Sequence, residues 1–225
     1  MRPILVCCDR DGTINRDDNN LYLGKSPDWR GQLEILPGVA SGILKINEIP
    51  DSHLVVVTNQ SGVAIADSEF AELTEERVGE VNFEIGSRLR AKGCRIDGFF
   101  VCPYVDSAYV AQARDRGRTI NPDYIQDGCR DLKPNTGLLE KAAAKVGLEL
   151  NQCSLYVIGD RFTDVEMGLN GGGVGILVES PKTRELGDLK KTRKLMSEHP
   201  GQVYVADAFD AAARTIVELA AARTD

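Results

Sequence analysis

Ile4-Leu5-Val6-Cys7-Cys8-Asp9-Arg10-Asp11-Gly12-Thr13 is the stretch on which the fold reading turns. Five apolar residues stop abruptly at Asp9. The run is too short for a helix and far too short for a membrane span, and it does not alternate with polar residues. It therefore reads as a strand covered on both faces, the kind found in a parallel sheet. In open α/β sheets the ligand lies outside the carboxyl ends of the strands. Asp9 and Asp11 then stand where such a fold keeps its chemistry.

Working outward, the same pattern recurs. Apolar runs at Leu54–Val57, Ile96–Val101, Leu155–Ile158, Val174–Val178 and, more weakly, Val203–Val205 predict five further strands. Apolar residues at helical spacing lie between them, predicting helices over 38–48, 68–92, 136–146, 164–170 and 208–222. Gly93 and Gly147 suit the position just past a helix end. Thr163-Asp164-Val165-Glu166 fits a capping box. This alternation predicts an α/β, Rossmann-like three-layer sandwich with a central, mostly parallel sheet and right-handed crossovers. One domain over residues 1–225 accommodates it. Three stretches fit no regular element: the polar residues 16–35, residues 102–132, and the charged residues 180–200, read as a solvated excursion. The stretch 102–132 is the candidate for a partial lid.

Three predicted strands run into polar loops: Asp9-Arg10-Asp11-Gly12-Thr13, Thr58-Asn59-Gln60-Ser61-Gly62, and Gly159-Asp160-Arg161-Phe162-Thr163-Asp164. Each alone could be an ordinary turn. Together they bring carboxylates, a hydroxyl and backbone N–H groups to one crevice. Clustered carboxylates repel one another and require a cation, and oxygen ligands with no available histidine suit Mg²⁺ better than zinc. Lys133, just before the third predicted helix, supplies a compensating charge. A carboxylate nucleophile with a metal and a lysine opposite is a workable arrangement for phosphoryl transfer.

Composition narrows the field. The chain has 225 residues, 42% hydrophobic and 27% charged, with a net charge of −7. An acidic surface disfavours nucleic acid and anionic membrane as partners. No apolar run approaches a membrane span, no secretory signal is visible, and six cysteines in or beside apolar runs suit reduced thiols. A cytoplasmic location is expected. Other motifs fail on single positions. Asn19 and the lack of a preceding strand break a P-loop ending at Gly24-Lys25-Ser26. Ile14 and Asn20 break a calcium loop counted from Asp9, and Ile176 breaks a dinucleotide fingerprint at Gly171–Gly175. Neither His53 nor His199 lies near a nucleophile motif of a triad hydrolase.

The segments at Asp9–Asn15, Val57–Val63, Lys133-Pro134 and Val157–Arg161 together resemble the four motifs of the haloacid dehalogenase superfamily. Val101-Cys102-Pro103 and Cys129-Arg130 extend the resemblance to its small, nearly capless branch of heptose bisphosphate and histidinol-phosphate phosphatases. It spans about residues 3–178. The resemblance implies a phosphatase with Asp9 as nucleophile, Asp11 as general acid and then base, and Thr58 and Lys133 as phosphate ligands. Mg²⁺ would be held by Asp9, Asp160 and the Asp11 carbonyl, with Asp164 in support. Asn59 and Arg130 would contact substrate. Arg114, Arg116 and Arg118 read as further contacts or as a solvated charged stretch. The branch often carries a zinc-stapled loop. Here its positions are Cys102, Tyr104, Asp127 and Cys129, a poor donor set, so no zinc is expected. The expected partner is a small phosphate ester, foremost a sugar bisphosphate, and the expected state a monomer. A histidinol-phosphate phosphatase is the alternative enzyme, and an inactive binding domain the alternative of another class.

Overall fold

The computed structural model describes residues 2–18 and 21–222; Asn19 and Asn20, within the polar stretch at 16–35, lie outside the described residues. The strands are β1 (Ile4–Cys8), β2 (Ser52–Asn59), β3 (Gly98–Cys102), β4 (Ser154–Gly159), β5 (Val174–Val178) and β6 (Val203–Ala206). They form one sheet in the order β3-β2-β1-β4-β5-β6. Every pairing is parallel, so the expected mostly parallel sheet is wholly parallel among the described residues. β1 lies between β2 and β4, with Cys8 opposite Val56 on one side and Ile158 on the other. Strand order reverses there, so the loops after β1, β2 and β4 open at one crevice.

Alternate side chains explain why both faces are apolar. Ile4, Val6, Cys8, Leu54, Val56, Tyr156 and Ile158 face one way. That layer is closed by α2 (Val39–Asn47), α3 (Glu75–Arg90) and α9 (Phe209–Ala221). Leu5, Cys7, Val55, Val57, Leu155 and Val157 face the other way, against Leu138, Leu139, Ala142 and Ala143 of α5 (Gly137–Lys145) and Met167 of α6 (Phe162–Asn170). Helices α2 and α9 approach closely because position 42 is glycine; a Cβ there would lie 2.7 Å from the Phe209 ring.

The irregular stretches are corrected in part. Residues 180–200 are not a solvated excursion: they form α7 (Pro181–Glu185) and α8 (Asp188–Glu198), with Thr183, Asp188 and Thr192 buried. Charged residues dominate their outer faces and mask this in sequence. Residues 102–132 contain α4 (Ser107–Asp115) and a single 3-10 turn at Pro122–Tyr124. Residues 16–35 contain α1 (Trp29–Gln32), whose tryptophan is 1% exposed. The predicted helix 68–92 is interrupted, since Ser68–Phe70 is a 3-10 turn and α3 starts only after its cap Thr74. Helix α6 begins before the predicted capping box. Its cap is Arg161, whose backbone N–H donates to Asp164 Oδ2 at 3.1 Å, which puts Thr163 inside the helix.

The isolated bridge Ile65–Ile120 ties the 102–132 segment to the loop after β2, and the bridge Val105–Ile125 closes the segment on itself. Val63, Ile65, Phe70, Leu73 and Val78 form a small apolar cluster with Tyr22, Val101, Ile120 and Tyr124. All three loops near the end of β2 and β3 thus share one patch of buried surface.

Candidate active site

Asp9 follows the last residue of β1, and its backbone N–H donates to the Ile158 carbonyl at 2.7 Å. The sheet ladder therefore continues into the loop after β1 and leaves the Asp9 backbone little freedom. Gly12 makes the turn that follows, with φ +84° and its N–H donating to the Asn15 carbonyl. A Cβ at Gly12 would lie 2.3 Å from Asp160 Oδ2, so glycine is what lets the two loops approach.

Lys133 Nζ lies 2.5 Å from Asp9 Oδ1 and 2.7 Å from Asp164 Oδ1, all buried. Asp9, Asp160 and Asp164 can each present an oxygen within 4.8 Å of the others. Burial pushes the Asp9 pKa well up, and Asp164, Asp160 and Asp11 add to the rise while Lys133 opposes it. Asp160 is pushed up to about 7 by burial and by Asp164, against the Ser180 hydrogen bond and the nearby Arg161 and Lys182. Burial is the largest cause of both shifts, and Lys133 is paired with Asp9 and Asp164 but not with Asp160. A divalent cation would supply what is missing.

The donor set fits such an ion. Both oxygens of Asp164 are engaged, by Lys133 and by the Arg161 N–H. Asp160 Oδ2 accepts from Ser180 Oγ at 2.7 Å, whereas Asp160 Oδ1 is buried without a hydrogen-bond partner. A buried carboxylate oxygen left unsatisfied is costly unless something binds it. The free oxygen is on Asp160, not Asp164, which favours Asp9 and Asp160 as ligands with Asp164 in support.

Asp11 points elsewhere. The guanidinium of Arg10, fully buried, donates to Asp11 through Nε at 3.1 Å and Nη2 at 2.8 Å. Arg10 also donates to Gln60 Oε1 and Asn82 Oδ1. Asn15 and Gln60 donate to the same carboxylate. Burial would raise the Asp11 pKa, but Arg10 and these hydrogen bonds outweigh it and hold it below the ordinary range. Gln60 Nε2 also donates to Thr58 Oγ1 at 2.9 Å, and its bond to Asp11 joins the loop after β2 to the loop after β1. Sequence reading missed Arg10, Gln60 and Asn82 as site residues. Their only local signal is a cation lodged between two carboxylates in Asp9-Arg10-Asp11.

The remaining candidates spread out. Thr58 is buried, and the Asn59 side chain accepts from the Lys133 N–H at 3.3 Å, so Asn59 holds the lysine loop in place here. Arg130 is 77% exposed and bonds Glu140 through both carboxylate oxygens at 2.7 and 2.8 Å. Arg118 pairs with Asp67 and Glu69 and lies over the Phe70 ring; Arg114 and Arg116 are exposed. Cys102 and Cys129 are buried with sulfurs 4.0 Å apart, while Asp127 accepts from the Ser107 N–H and hydroxyl at the start of α4.

The chain is similar to known proteins over most of its length. A family model described as HAD-hydrolase-like matches residues 130–212. The chain is 26% identical over 181 residues to a D-glycero-beta-D-manno-heptose-1,7-bisphosphate 7-phosphatase of Yersinia pestis, covering 79% of this chain and 81% of that protein. It is 28% identical over 176 residues to a D-glycero-D-manno-heptose-1,7-bisphosphate 7-phosphatase of Thermosynechococcus vestitus, covering 78% of each. The fold matches that of a D,D-heptose 1,7-bisphosphate phosphatase of B. bronchiseptica, solved with magnesium and phosphate. There the TM-score is 0.67 and the identity 24%, over 96% of this chain and 99% of that one. With the sheet order, the carboxylate–lysine centre and these relatives in agreement, the chain is a phosphatase similar to those of the haloacid dehalogenase superfamily.

Proposed function

We propose that this phosphatase is Mg²⁺-dependent, works through an aspartyl-phosphate at Asp9, and acts on a small sugar phosphate, foremost a sugar bisphosphate of the heptose kind. The observation that carries the reading is the pairing of Asp9 with Lys133 beside an Asp160 oxygen that nothing satisfies. Asp9 and Asp160, with the Asp11 carbonyl, would hold Mg²⁺, which supplies charge neutralisation for the transferring phosphoryl group.

The residues then divide the work. An Asp9 oxygen attacks phosphorus, and the bond from phosphorus to the ester oxygen breaks. Asp11 delivers a proton to the departing alcohol. Water attacks the phosphorus of the aspartyl-phosphate, Asp11 takes the proton from that water, and Asp9 and inorganic phosphate are regenerated. The two roles of Asp11 require opposite protonation states. The Arg10 contact favours the carboxylate, the form that accepts a proton from water. Lys133 and Thr58 grip the phosphate oxygens, and Lys133 also lowers the repulsion between Asp9 and an anionic substrate.

Magnesium and no zinc belong to this reading, because Asp127 is committed to capping α4. The protein acts in it as a monomer in the cytoplasm, with the 102–132 segment as a partial lid. No helix among the described residues is long and apolar enough to cross a membrane. The substrate class follows from the relatives' names and from Arg130, three residues before Lys133. A panel of phosphorylated metabolites assayed with Mg²⁺ tests it. Sugar bisphosphates should lead, chelation should abolish turnover, and Mg²⁺ should restore it. Asp9→Asn should stay folded and lose several decades of turnover, about the scale seen when an essential nucleophile is removed. Activity within tenfold of wild type would sink the covalent mechanism, and histidinol phosphate outperforming every sugar phosphate would replace the substrate class.

A further inference from the structure

The direction of the Asp160 carboxylate is fixed from outside the loop that carries it. A carboxylate rotates about its own bond, so presenting one chosen oxygen requires that the other be held. Two hydroxyls do this from a segment outside the four motifs. Ser180 Oγ lies 2.7 Å from Asp160 Oδ2, and Thr183 Oγ1 lies 2.6 Å from the Asp160 backbone carbonyl oxygen.

The proton directions follow from the local helix start. Ser180 Oγ accepts from the Thr183 N–H at 3.1 Å, and Thr183 Oγ1 accepts from the Ser180 N–H at 3.1 Å. This reciprocal cap occupies a lone pair on each hydroxyl with a backbone donor. Each hydroxyl proton is then free to point at Asp160, which offers only acceptors in its ionised form. Thr183 is fully buried. The pair is anchored from behind: Asp188 at the start of α8 accepts from Arg161 Nε at 2.9 Å and from the Phe162 N–H at 3.3 Å. Lys182 pairs with Asp17, tying α7 to the loop that follows β1.

We propose that Ser180 and Thr183 are positioning residues that aim the free Oδ1 of Asp160 at the divalent cation. Ser180 holds Oδ2, Thr183 holds the backbone, and the α7–α8 pair braces both. Partners that orient a ligating carboxylate are worth about 10- to 100-fold in metal affinity when removed. The inference rests on the magnesium reading above.

The test is Mg²⁺ affinity, measured by calorimetry and by the Mg²⁺-dependent rise in Tm, without substrate. Ser180→Gly is the informative variant, because glycine keeps a helix start at a cost of a few tenths of a kcal/mol while removing the hydroxyl. It should lower the metal-free Tm modestly, because Asp160 Oδ2 loses its hydroxyl, and weaken Mg²⁺ binding by about tenfold. Ser180→Thr restores a hydroxyl on an extended backbone that suits a β-branched residue (φ −124°, ψ 168°), and it should recover most of the affinity. Thr183→Ser should behave like wild type and Thr183→Val like Ser180→Gly. Unchanged Mg²⁺ affinity in Ser180→Gly, or no recovery in Ser180→Thr, overturns the proposal while wild-type binding, lost in Asp160→Ala, keeps the magnesium reading. Wild-type protein with no Mg²⁺-dependent change, or Asp160→Ala binding as tightly as wild type, overturns both.

Discussion

Asp11 and Gly12 show how much of the site depends on single residues. Both Asp11 oxygens accept hydrogen bonds, from Arg10, Asn15 and Gln60, so an amide of the same size would lose the proton transfer and turn its NH2 toward two of these donors. Asp11→Asn should slow phosphate esters with poor leaving groups far more than aryl phosphates, because a good leaving group needs little protonation. Parallel rates across a series of leaving-group pKa values that fall equally in the variant would remove Asp11 from that role. At Gly12, both the positive φ and the 2.3 Å approach to Asp160 forbid a side chain. Gly12→Ala should cost more than about 1 kcal/mol of stability in urea unfolding. It should also displace Asp160, so that Mg²⁺-dependent activity falls further than stability alone explains. Asp9, Asp11, Thr58 and Asp160 stand out as candidates in sequence because each lies in a short motif at the end of an apolar run, and Lys133 because it lies just before a predicted helix. Arg10 was hidden by having its partners at Gln60 and Asn82, 50 and 72 residues away.

Elements built from short apolar runs were easier to read than elements built from charged residues. The runs at Ile4–Cys8 and Val174–Val178 match their strands end to end. Helix α8 was missed because three lysines, Arg193 and Glu198 occupy much of its surface, and its buried residues are Asp188 and Thr192, which no apolar pattern reveals. Helix α1 was missed because a four-residue element leaves no period to detect. Its tryptophan nevertheless joins the main core beside Leu33, Ile85 and Leu89. Trp29→Ala should therefore cost about 3–5 kcal/mol by urea denaturation, the range for removing a large buried aromatic. A loss below about 1 kcal/mol, the scale of a surface substitution, would show that the stretch at 16–35 is not part of the folded core.

At the scale of the molecule, specificity depends on what stands around the crevice. Two arginines of the 102–132 stretch are paired locally, Arg118 with Asp67 and Glu69 and Arg130 with Glu140. An exposed pair such as Arg130–Glu140 is worth about 0–1 kcal/mol, so Arg130 can exchange Glu140 for a second anionic group on the substrate at little cost. Arg130→Ala should raise KM for a sugar bisphosphate more than for the matching monophosphate and leave kcat nearly unchanged. Equal increases for both would place Arg130 with the transferred phosphate or with the fold. By itself the sequence determined the strands, most of the long helices, the α/β layering and the motif carboxylates. These follow from apolar periodicity and short-range spacing, which are local properties. The tertiary structure alone decided the strand order around β1, the turning of Asp11 toward Arg10, and the docking of α7 and α8 onto Asp160 and Arg161. Those depend on contacts between distant segments. A hydroxyl or a guanidinium carries no mark in sequence of which carboxylate it will meet, because burial and geometry choose its partner only once the sheet has assembled.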